Sequence, residues 1–392
     1  MKKKIGLYLG VTPDAGGAFQ YSQSMLEAVA TLPAAEFESV VAYAYEAWFP
    51  YVEKYRLKAI HFKKGFFEEI VESAFRFGLP IISWRKFAPF IHKFTKQFLR
   101  EKCDLWIFPA QDVWTYATSV PALGIIHDLM HRYERRFPEV SAYGKYSRRE
   151  RHYKNMCDWV MAVLVDSEVG KQQVHESYGM ENARIKILPF IPPKYIYSDQ
   201  TSAGFDKKYA LPEKFIFYPA QFWEHKNHKA LIKAVKKLIT VVPDMKLVFV
   251  GSKKNGYKSA LKLVNELKLV AHIIFLGYVP DKDMPELYRR ARAMIMPTFF
   301  GPTNIPPLEA FVTGCPAAVS DIYGMPEQVG DAALLFNPNS DEEIAWTMQR
   351  LWTDNELCAK LSRAGQKQVK RWEQENFNQR LLTILRELLV VA

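Results

Sequence analysis

A rhythm that runs twice along the chain narrows the fold more than any other feature. Short apolar, β-branched or aromatic runs alternate with longer amphipathic ones, the pattern of stacked βαβ units on a mainly parallel sheet. In the first half the expected strands are Ile5–Gly10, Val40–Tyr45, Leu105–Pro109, Leu123–His127, Trp159–Asp166 and Ile185–Pro189. Residues 190–210 are rich in Pro, Tyr, Ser and Lys, have no period, and read as a linker. The rhythm then restarts with strands Phe215–Pro219, Lys246–Gly251, His272–Gly277 and Ala293–Pro297, separated by helices over 229–240, 259–267 and 284–291. A length of 392 residues is long for one core and comfortable for two. The expectation is an α/β chain of two Rossmann-like domains, 1–195 and 206–374, with mainly parallel sheets facing across a cleft and ligands at the carboxyl ends of the strands.

The densest stretch is 297–331. A turn rich in Gly, Pro, Thr and Asn (Gly301 to Asn304) runs into Pro306-Pro307-Leu308-Glu309, and the helical pattern that follows stops at Gly314. Prolines at a helix start and a glycine past its end are the expected punctuation. Such a turn offers backbone N–H groups at a positive helix end, a ready site for a diphosphate. Glu309 lies about one turn inside, within reach of a sugar attached to the phosphates. The plainer alternative is a loop, a helix and a buried strand (Ala317 to Ser320) of any α/β domain.

Gly301 to Glu309, Gly314-Cys315-Pro316, Gly324, Pro326-Glu327 and Gly330-Asp331-Ala332-Ala333 resemble the donor-site signature of glycosyltransferase family 4, retaining enzymes of GT-B architecture. The resemblance is dense in the C-terminal half and thin in the N-terminal half. It implies an acceptor-binding domain over 1–195, a donor-binding domain over 206–374 and a helix over 375–392 that packs back on the first domain. It implies also a nucleotide-diphosphate sugar as donor, with no cofactor or metal required.

The matched positions carry the implied roles. Lys226, after the first strand of the second domain, would neutralise the departing diphosphate; the arginine that similar enzymes carry five residues earlier is Gln221 here. Glu309 matches the second carboxylate of the family's Glu, seven residues, Glu pattern and would bind the ribose hydroxyls, a task for an acceptor-only group. The first Glu falls on Gly301, which would leave more of the holding to the backbone of Thr303, Asn304 and Ile305. Gly16 and Gly17 follow the first strand and resemble the family's glycine loop, where the backbone can approach a phosphate closely. His127 closes a strand and would touch the donor sugar or position the acceptor; a core histidine with satisfied hydrogen bonds is the alternative. Asp281-Lys282-Asp283 has the spelling of a metal-binding D-x-D but stands where aspartates open a helix, so a cap is expected there.

The formal net charge of +11 points to an anionic partner. Twelve Lys/Arg against five Glu between 51 and 102 supply +7 of it. Over 84–102, Trp84, Phe87, Ile91, Phe94 and Phe98 share one face at the helical period, with Arg85, Lys86, Lys93, Lys96 and Arg100 opposite. Such a helix suits an anionic membrane surface, or else packs on its own domain with a solvated charged face. A second cluster, Arg132, Arg135 and Arg136 with Arg148, Arg149 and Arg151, is a candidate for an anionic acceptor. No nucleic-acid motif accompanies these charges. Cys103, Cys157, Cys315 and Cys358 are widely spaced without a C-x-x-C pair, which fits a reducing compartment. Met1 to Lys4 and the short apolar run after them read as a first strand, not a leader.

The reading is therefore a retaining glycosyltransferase of cell-surface polysaccharide biosynthesis, taking its sugar to a glycan or lipid-linked acceptor. Its expected place is the cytoplasm, peripheral at the inner face of the cell membrane. The alternative, motivated by Gln221 and Gly301, is a catalytically silent nucleotide-sugar-binding or scaffold protein of the same fold.

Overall fold

The computed structural model describes residues 2–390 and divides into two compact units. The first comprises the chain up to Arg135, Val140–Ile191 and the segment from Gln374; the second comprises Arg136–Glu139 and Pro192–Glu373. Residues 391–392 of the expected terminal helix lie outside the described residues.

The first unit holds seven strands: β1 (Lys3–Leu9), β2 (Phe37–Tyr43), β3 (Lys58–His61), β4 (Leu105–Ile107), β5 (Ala122–Ile125), β6 (Ala162–Val165) and β7 (Ile185–Ile187). They lie in the order β3-β2-β1-β4-β5-β6-β7, every pair parallel. The second unit holds β8 (Ile216–Pro219), β9 (Leu247–Val250), β10 (Ile273–Gly277), β11 (Ala293–Met296), β12 (Ala317–Ser320) and β13 (Ala333–Phe336), in the order β10-β9-β8-β11-β12-β13 and again all parallel. Parallel strands covered on both faces should be continuously apolar, and β5, β6, β9, β11 and β12 are buried along their whole length. In each sheet the order reverses beside the first strand, between β1 and β4 and between β8 and β11. The loops leaving those strands therefore splay apart and open a crevice.

The regular elements agree with the alternation read from the sequence, with four differences, the first being β13, a strand that the alternation did not include. Strand β3 was not expected: it is a half-exposed edge strand with Lys58 in its first position, so it lacks the apolar run of a central strand. The segment 159–161 is not strand, because Trp159 closes the helix Lys145–Trp159 and β6 begins at Ala162. The single helix over 84–102 is two, Ile81–Ile91 and Lys93–Arg100. Pro89 has no N–H to give the Arg85 carbonyl, and the Ser119 hydroxyl takes that carbonyl instead at 3.1 Å. His92 then opens the second helix, its Nδ1 accepting from the Thr95 N–H at 3.3 Å.

That break also splits the apolar face. Phe94 and Phe98 enter the core, whereas Phe87 and Ile91 stay exposed. Arg85 leaves the expected solvated face and donates to the Tyr116 and Thr118 carbonyls at 2.7 and 2.6 Å.

Helix Gln374–Val390 lies against helix Gly17–Ala30 within the first unit. Phe377, Leu381 and Leu385 are buried there. Gln374 donates to the Ser24 carbonyl at 3.1 Å, and Arg386 pairs with Glu36 at 2.6 Å. Among the described residues no helix is long and apolar enough to cross a membrane.

Candidate functional site

In the second unit the crevice is bounded by the loop after β8, which carries Lys226, and the loop after β11, which carries Gly301 to Ile305. Each loop is built to hold one geometry. Buried Tyr218 on β8 donates its hydroxyl to the Lys226 carbonyl at 2.8 Å. Asn227 takes a left-handed conformation (φ 57°) and anchors its amide on the Pro338 carbonyl at 2.9 Å. His228 stacks on Phe222 with centroids 4.2 Å apart and lies 3.3 Å from the Ala220 carbonyl. Burial holds its pKa down to about 3, so the ring is neutral and gives Nε2–H to that carbonyl. At the base of the loop the backbone of Ala220 passes so close to Gly251 (φ 147°) that a Cβ there would stand 2.2 Å from the Ala220 oxygen.

The loop after β11 is clamped from behind. Buried Gln328 accepts from the Asn304 N–H at 3.1 Å and donates to the Asn304 carbonyl at 2.8 Å. Gln368 in turn donates to the Gln328 carbonyl at 3.1 Å. The Asn304 side-chain amide donates to the Phe300 carbonyl at 3.0 Å, which turns its oxygen toward Lys226; the Lys226 ammonium donates to it at 3.2 Å. Lys226 and Asn304, 78 residues apart, are thus brought together at the crevice.

The remaining expected positions fare differently. The Asn304 N–H is spent on Gln328, and Pro306 and Pro307 have none, so the row of free N–H groups expected before this helix is much reduced. Thr303 and Ile305 stay as the other two positions of that turn. Gly301 is buried, and a Cβ on it would stand 3.1 Å from the Tyr323 ring. The position on which the pattern's first Glu falls is therefore packed against the Tyr323 ring, with little room for a side chain. The Gln221 side chain is turned away, accepting from the Trp223 indole at 3.0 Å.

Glu309 sits in the first turn of helix Pro306–Thr313, 4% exposed. Its two carboxylate oxygens accept from the hydroxyls of Tyr288, at 2.6 Å, and Tyr195. Burial raises its pKa, and the two hydroxyls oppose the shift without cancelling it. Tyr195 comes from the stretch read as a linker, which instead contributes a short helix, Lys194–Tyr197, to this unit. In the same stretch Lys208 and Tyr209 reach the Asp283 carboxylate at 2.7 and 2.6 Å. Asp283 does stand before helix Met284–Arg290, but it makes no side-chain cap; its carboxylate fastens the linker.

Two further residues stand beside the loop: His225, which sequence alone ranked below His127, and Glu139, which it did not single out. His225 stacks on Phe300 at 3.7 Å between centroids, and its Nδ1 and backbone N both lie 3.3 Å from the Glu139 carboxylate. Burial would raise the Glu139 pKa, but the His225 ring and backbone N–H carry it down to about 2. Glu139 belongs to the four-residue segment that joins the second unit, where Phe137 packs on Phe299 and Arg136 lies 4.2 Å above the same ring. Phe137, Trp223, Asn227, His228 and Phe299 line a cleft of about 180 Å³. His225 was legible as part of the Lys226 loop; nothing local marks Glu139.

In the first unit Gly16 (φ 61°, ψ −122°) precedes helix Gly17–Ala30 at the end of β1, in a conformation that favours glycine. His127 follows β5. Its ring is stacked on Phe190 and edge-on to Tyr21, with centroids 5.5 and 5.3 Å away. Both ring nitrogens are enclosed; the Pro109 carbonyl lies near without reaching hydrogen-bond geometry, and burial lowers the pKa to about 4. Two of the six arginines of the second basic cluster are spent on internal pairs: Arg132 is bidentate to Glu150 at 2.6 Å, and Arg149 is paired with Asp128. Among the described residues no group of three or more His, Cys, Asp or Glu is arranged to hold a metal ion.

Residues 201–368 match the family model of glycosyl transferases group 1. Among curated proteins, O-antigen chain mannosyltransferase B of Escherichia coli is 30% identical over 173 residues, 43% of this chain and 45% of that one. Mannosylfructose-phosphate synthase of Agrobacterium fabrum is 25% identical over 225 residues, 53% of this chain and 48% of that one. The chain thus spans about half the length, or less, of the curated relatives it matches. Among solved structures, HepE of Anabaena in complex with UDP-glucose superposes with a TM-score of 0.73 at 14% identity, covering 98% of this chain and 99% of that one. A glycosyltransferase of Rickettsia africae does so with a TM-score of 0.71 at 16% identity, covering 99% of each. The chain has the GT-B fold, two Rossmann-like domains with parallel sheets, and its residues 201–368 are similar to glycosyl transferases group 1.

Proposed function

We propose that this protein is a retaining, metal-independent glycosyltransferase that moves a hexose from a nucleotide-diphosphate sugar to a glycan or lipid-linked acceptor in polysaccharide biosynthesis. The observation that carries the reading is the Lys226–Asn304 pair at the point where the second sheet's order reverses. A compact ammonium held by a fixed amide is suited to a diphosphate whose charge grows as the glycosidic bond breaks. The leaving group would be held by Lys226 and the turn Thr303 to Ile305, and the sugar would pass through an oxocarbenium-like state. Mannosyltransferases among the relatives support a hexose of manno type, and the UDP-glucose complex of HepE supports a nucleotide diphosphate as the handle. A lipid-linked acceptor would place the work peripherally at the cytoplasmic face of an anionic membrane.

Close packing of Tyr323 on Gly301 supports reading the glycine as a fitted part of this loop. The test is a thermal-shift series with UDP, GDP, ADP and dTDP, followed by transfer assays with the sugars of whichever base binds. A nucleotide at a hundred times its Kd stabilises the folded chain by about 2.7 kcal/mol. Tight binding with neither transfer nor donor hydrolysis would assign the chain to a silent, nucleotide-sugar-binding role instead.

A further inference from the structure

The first unit carries an apolar surface that its own core does not use. Helix Phe66–Phe77 and helix Ile81–Ile91 form an antiparallel hairpin: Phe75 meets Trp84 with centroids 5.7 Å apart, and Phe67 meets His92 at 5.5 Å. Phe75, Ala88 and, beyond the break, Phe94 and Phe98 face inward. The outward side of the first helix presents Phe66, Phe67, Ile70 and Phe77. The second helix adds Ile82, Phe87, Phe90 and Ile91. These eight are between 46% and 79% exposed, within 26 consecutive residues. Exposed apolar residues scattered singly are ordinary, but eight of them on two successive helices are dense enough to point to an interaction surface.

The charges around the hairpin say what it meets. Glu68 is turned to the Gly65 N–H at 2.9 Å and lies 3.5 Å from His92. Glu72 pairs with Lys64 at 2.5 Å and accepts from the Trp114 indole at 2.7 Å. Glu101 is held between Lys4 and Lys58 at 3.2 and 2.7 Å. Glu72 and Glu101 are therefore paired with lysines, Glu68 is half-buried against a backbone N–H and a ring that burial keeps neutral, and only Glu69 is exposed. The exposed cations are Lys63, Lys86, Lys93, Lys96, Arg100 and Lys102. Large exposed apolar side chains on the hairpin, with exposed cations just before, within and just after it in the chain, suit the boundary between acyl chains and anionic headgroups. A second copy of the chain fits worse, since a symmetric contact would set these six cations against six more.

We infer that the hairpin Phe66–Ile91 is a membrane-docking element that inserts Phe66, Phe67, Phe87, Phe90 and Ile91 into the interface of an anionic bilayer. The inference rests on the proposed peripheral work at a membrane and gives that location a surface, displaced from the 84–102 helix that the sequence suggested. Arg85, Phe94 and Phe98 take no part, because all three are turned into the fold.

The test is co-sedimentation of the full chain with vesicles of phosphatidylcholine alone and of phosphatidylcholine with about one third phosphatidylglycerol at low salt. The wild type is expected to pellet with the anionic vesicles and to stay in the supernatant with the neutral ones. The variant Phe66→Ser/Phe90→Ser/Ile91→Ser, all exposed positions, should keep its melting temperature and lose partitioning by about tenfold or more. Lys86→Glu/Lys93→Glu should lose partitioning by a similar factor, since each cation near such a surface is worth about fivefold. Equal recovery with both vesicle types, or unchanged pelleting of the triple variant, would overturn the inference. So would a wild-type dimer in solution that the triple variant converts to monomer, because a second copy would then own the surface. Vesicle binding needs neither donor nor acceptor, and transfer to a water-soluble acceptor needs no vesicle, so failure of the docking surface and failure of the transfer reading are separate results.

Discussion

The Lys226 ammonium donates to the Asn304 side-chain oxygen at 3.2 Å, joining the two loops that leave β8 and β11. If this ammonium neutralises the leaving diphosphate, Lys226→Ala lowers kcat by two to three orders of magnitude, about 2.7–4 kcal/mol of transition-state stabilisation. The melting temperature should hold, because the loop is fixed through the Lys226 carbonyl by Tyr218 and through the Asn227 amide, neither of which the half-buried Lys226 side chain supplies. Asn304→Ala should cost less and act through position: the ammonium is present but unaimed, and the loss should appear in kcat more than in KM. Steady-state rates on the two variants check both outcomes.

The tyrosine clamp on Glu309 makes a prediction about stability. Tyr288→Phe removes a donor from a buried carboxylate and should destabilise the fold by roughly 1–3 kcal/mol at neutral pH. The sign with pH follows from the raised pKa of Glu309. The native carboxyl binds its proton more readily than the unfolded one, ordinarily at 4.5, so this group's contribution to stability falls as pH rises from 4.5 through the native value. The deficit of Tyr288→Phe should therefore shrink on acidification, read from urea melts at neutral pH and at about pH 4.5.

The histidines act in the opposite sense. His228 has a native pKa of about 3 against an ordinary 6.5, so the unfolded chain takes up a proton that the native ring refuses. Its contribution is complete above 6.5 and is lost as pH falls toward 3, at up to about 1.4 kcal/mol per pH unit. His228→Gln, which keeps a donor for the Ala220 carbonyl, should flatten the acid limb of stability between those values.

A glutamate placed at Gly301 should not fit the folded loop. In Gly301→Glu the new Cβ meets the Tyr323 ring at 3.1 Å, and the neighbour must give way. The substitution should lower the melting temperature and reduce turnover, and adding Tyr323→Ala should recover much of the stability. If Gly301→Glu alone were as stable as the wild type and faster, Tyr323 would have no part in shaping this slot.

The regular parts of the fold were legible because they depend on neighbours in sequence. The helix stop at Gly314 and the strand Ala317–Ser320 stand where the pattern placed them. What escaped was long-range or polar. Tyr195 reads as part of an aperiodic linker, and only the folded chain brings it to Glu309, 114 residues away. Glu139 lies 86 residues from His225 in a segment that shares no element with it. The helix over 84–102 failed for a different reason. Its period was real, but Pro89 removed a donor and His92 leaves the helical conformation (ψ 114°), so that one stripe of side chains became two surfaces with opposite fates. At Gly301 the sequence could not show the crowding by Tyr323, which comes from another turn of chain.

The helix Gln374–Val390 belongs to the unit whose strands come first in the chain. On a ribosome, domains ordinarily complete themselves in order of synthesis. Here the first sheet can assemble early, but the flank of helix Gly17–Ala30 that receives Phe377, Leu381 and Leu385 stays bare until the second domain has been made. The domain begun first is the one finished last, and a nascent chain halted after residue 373 would hold a complete second fold beside an uncovered first.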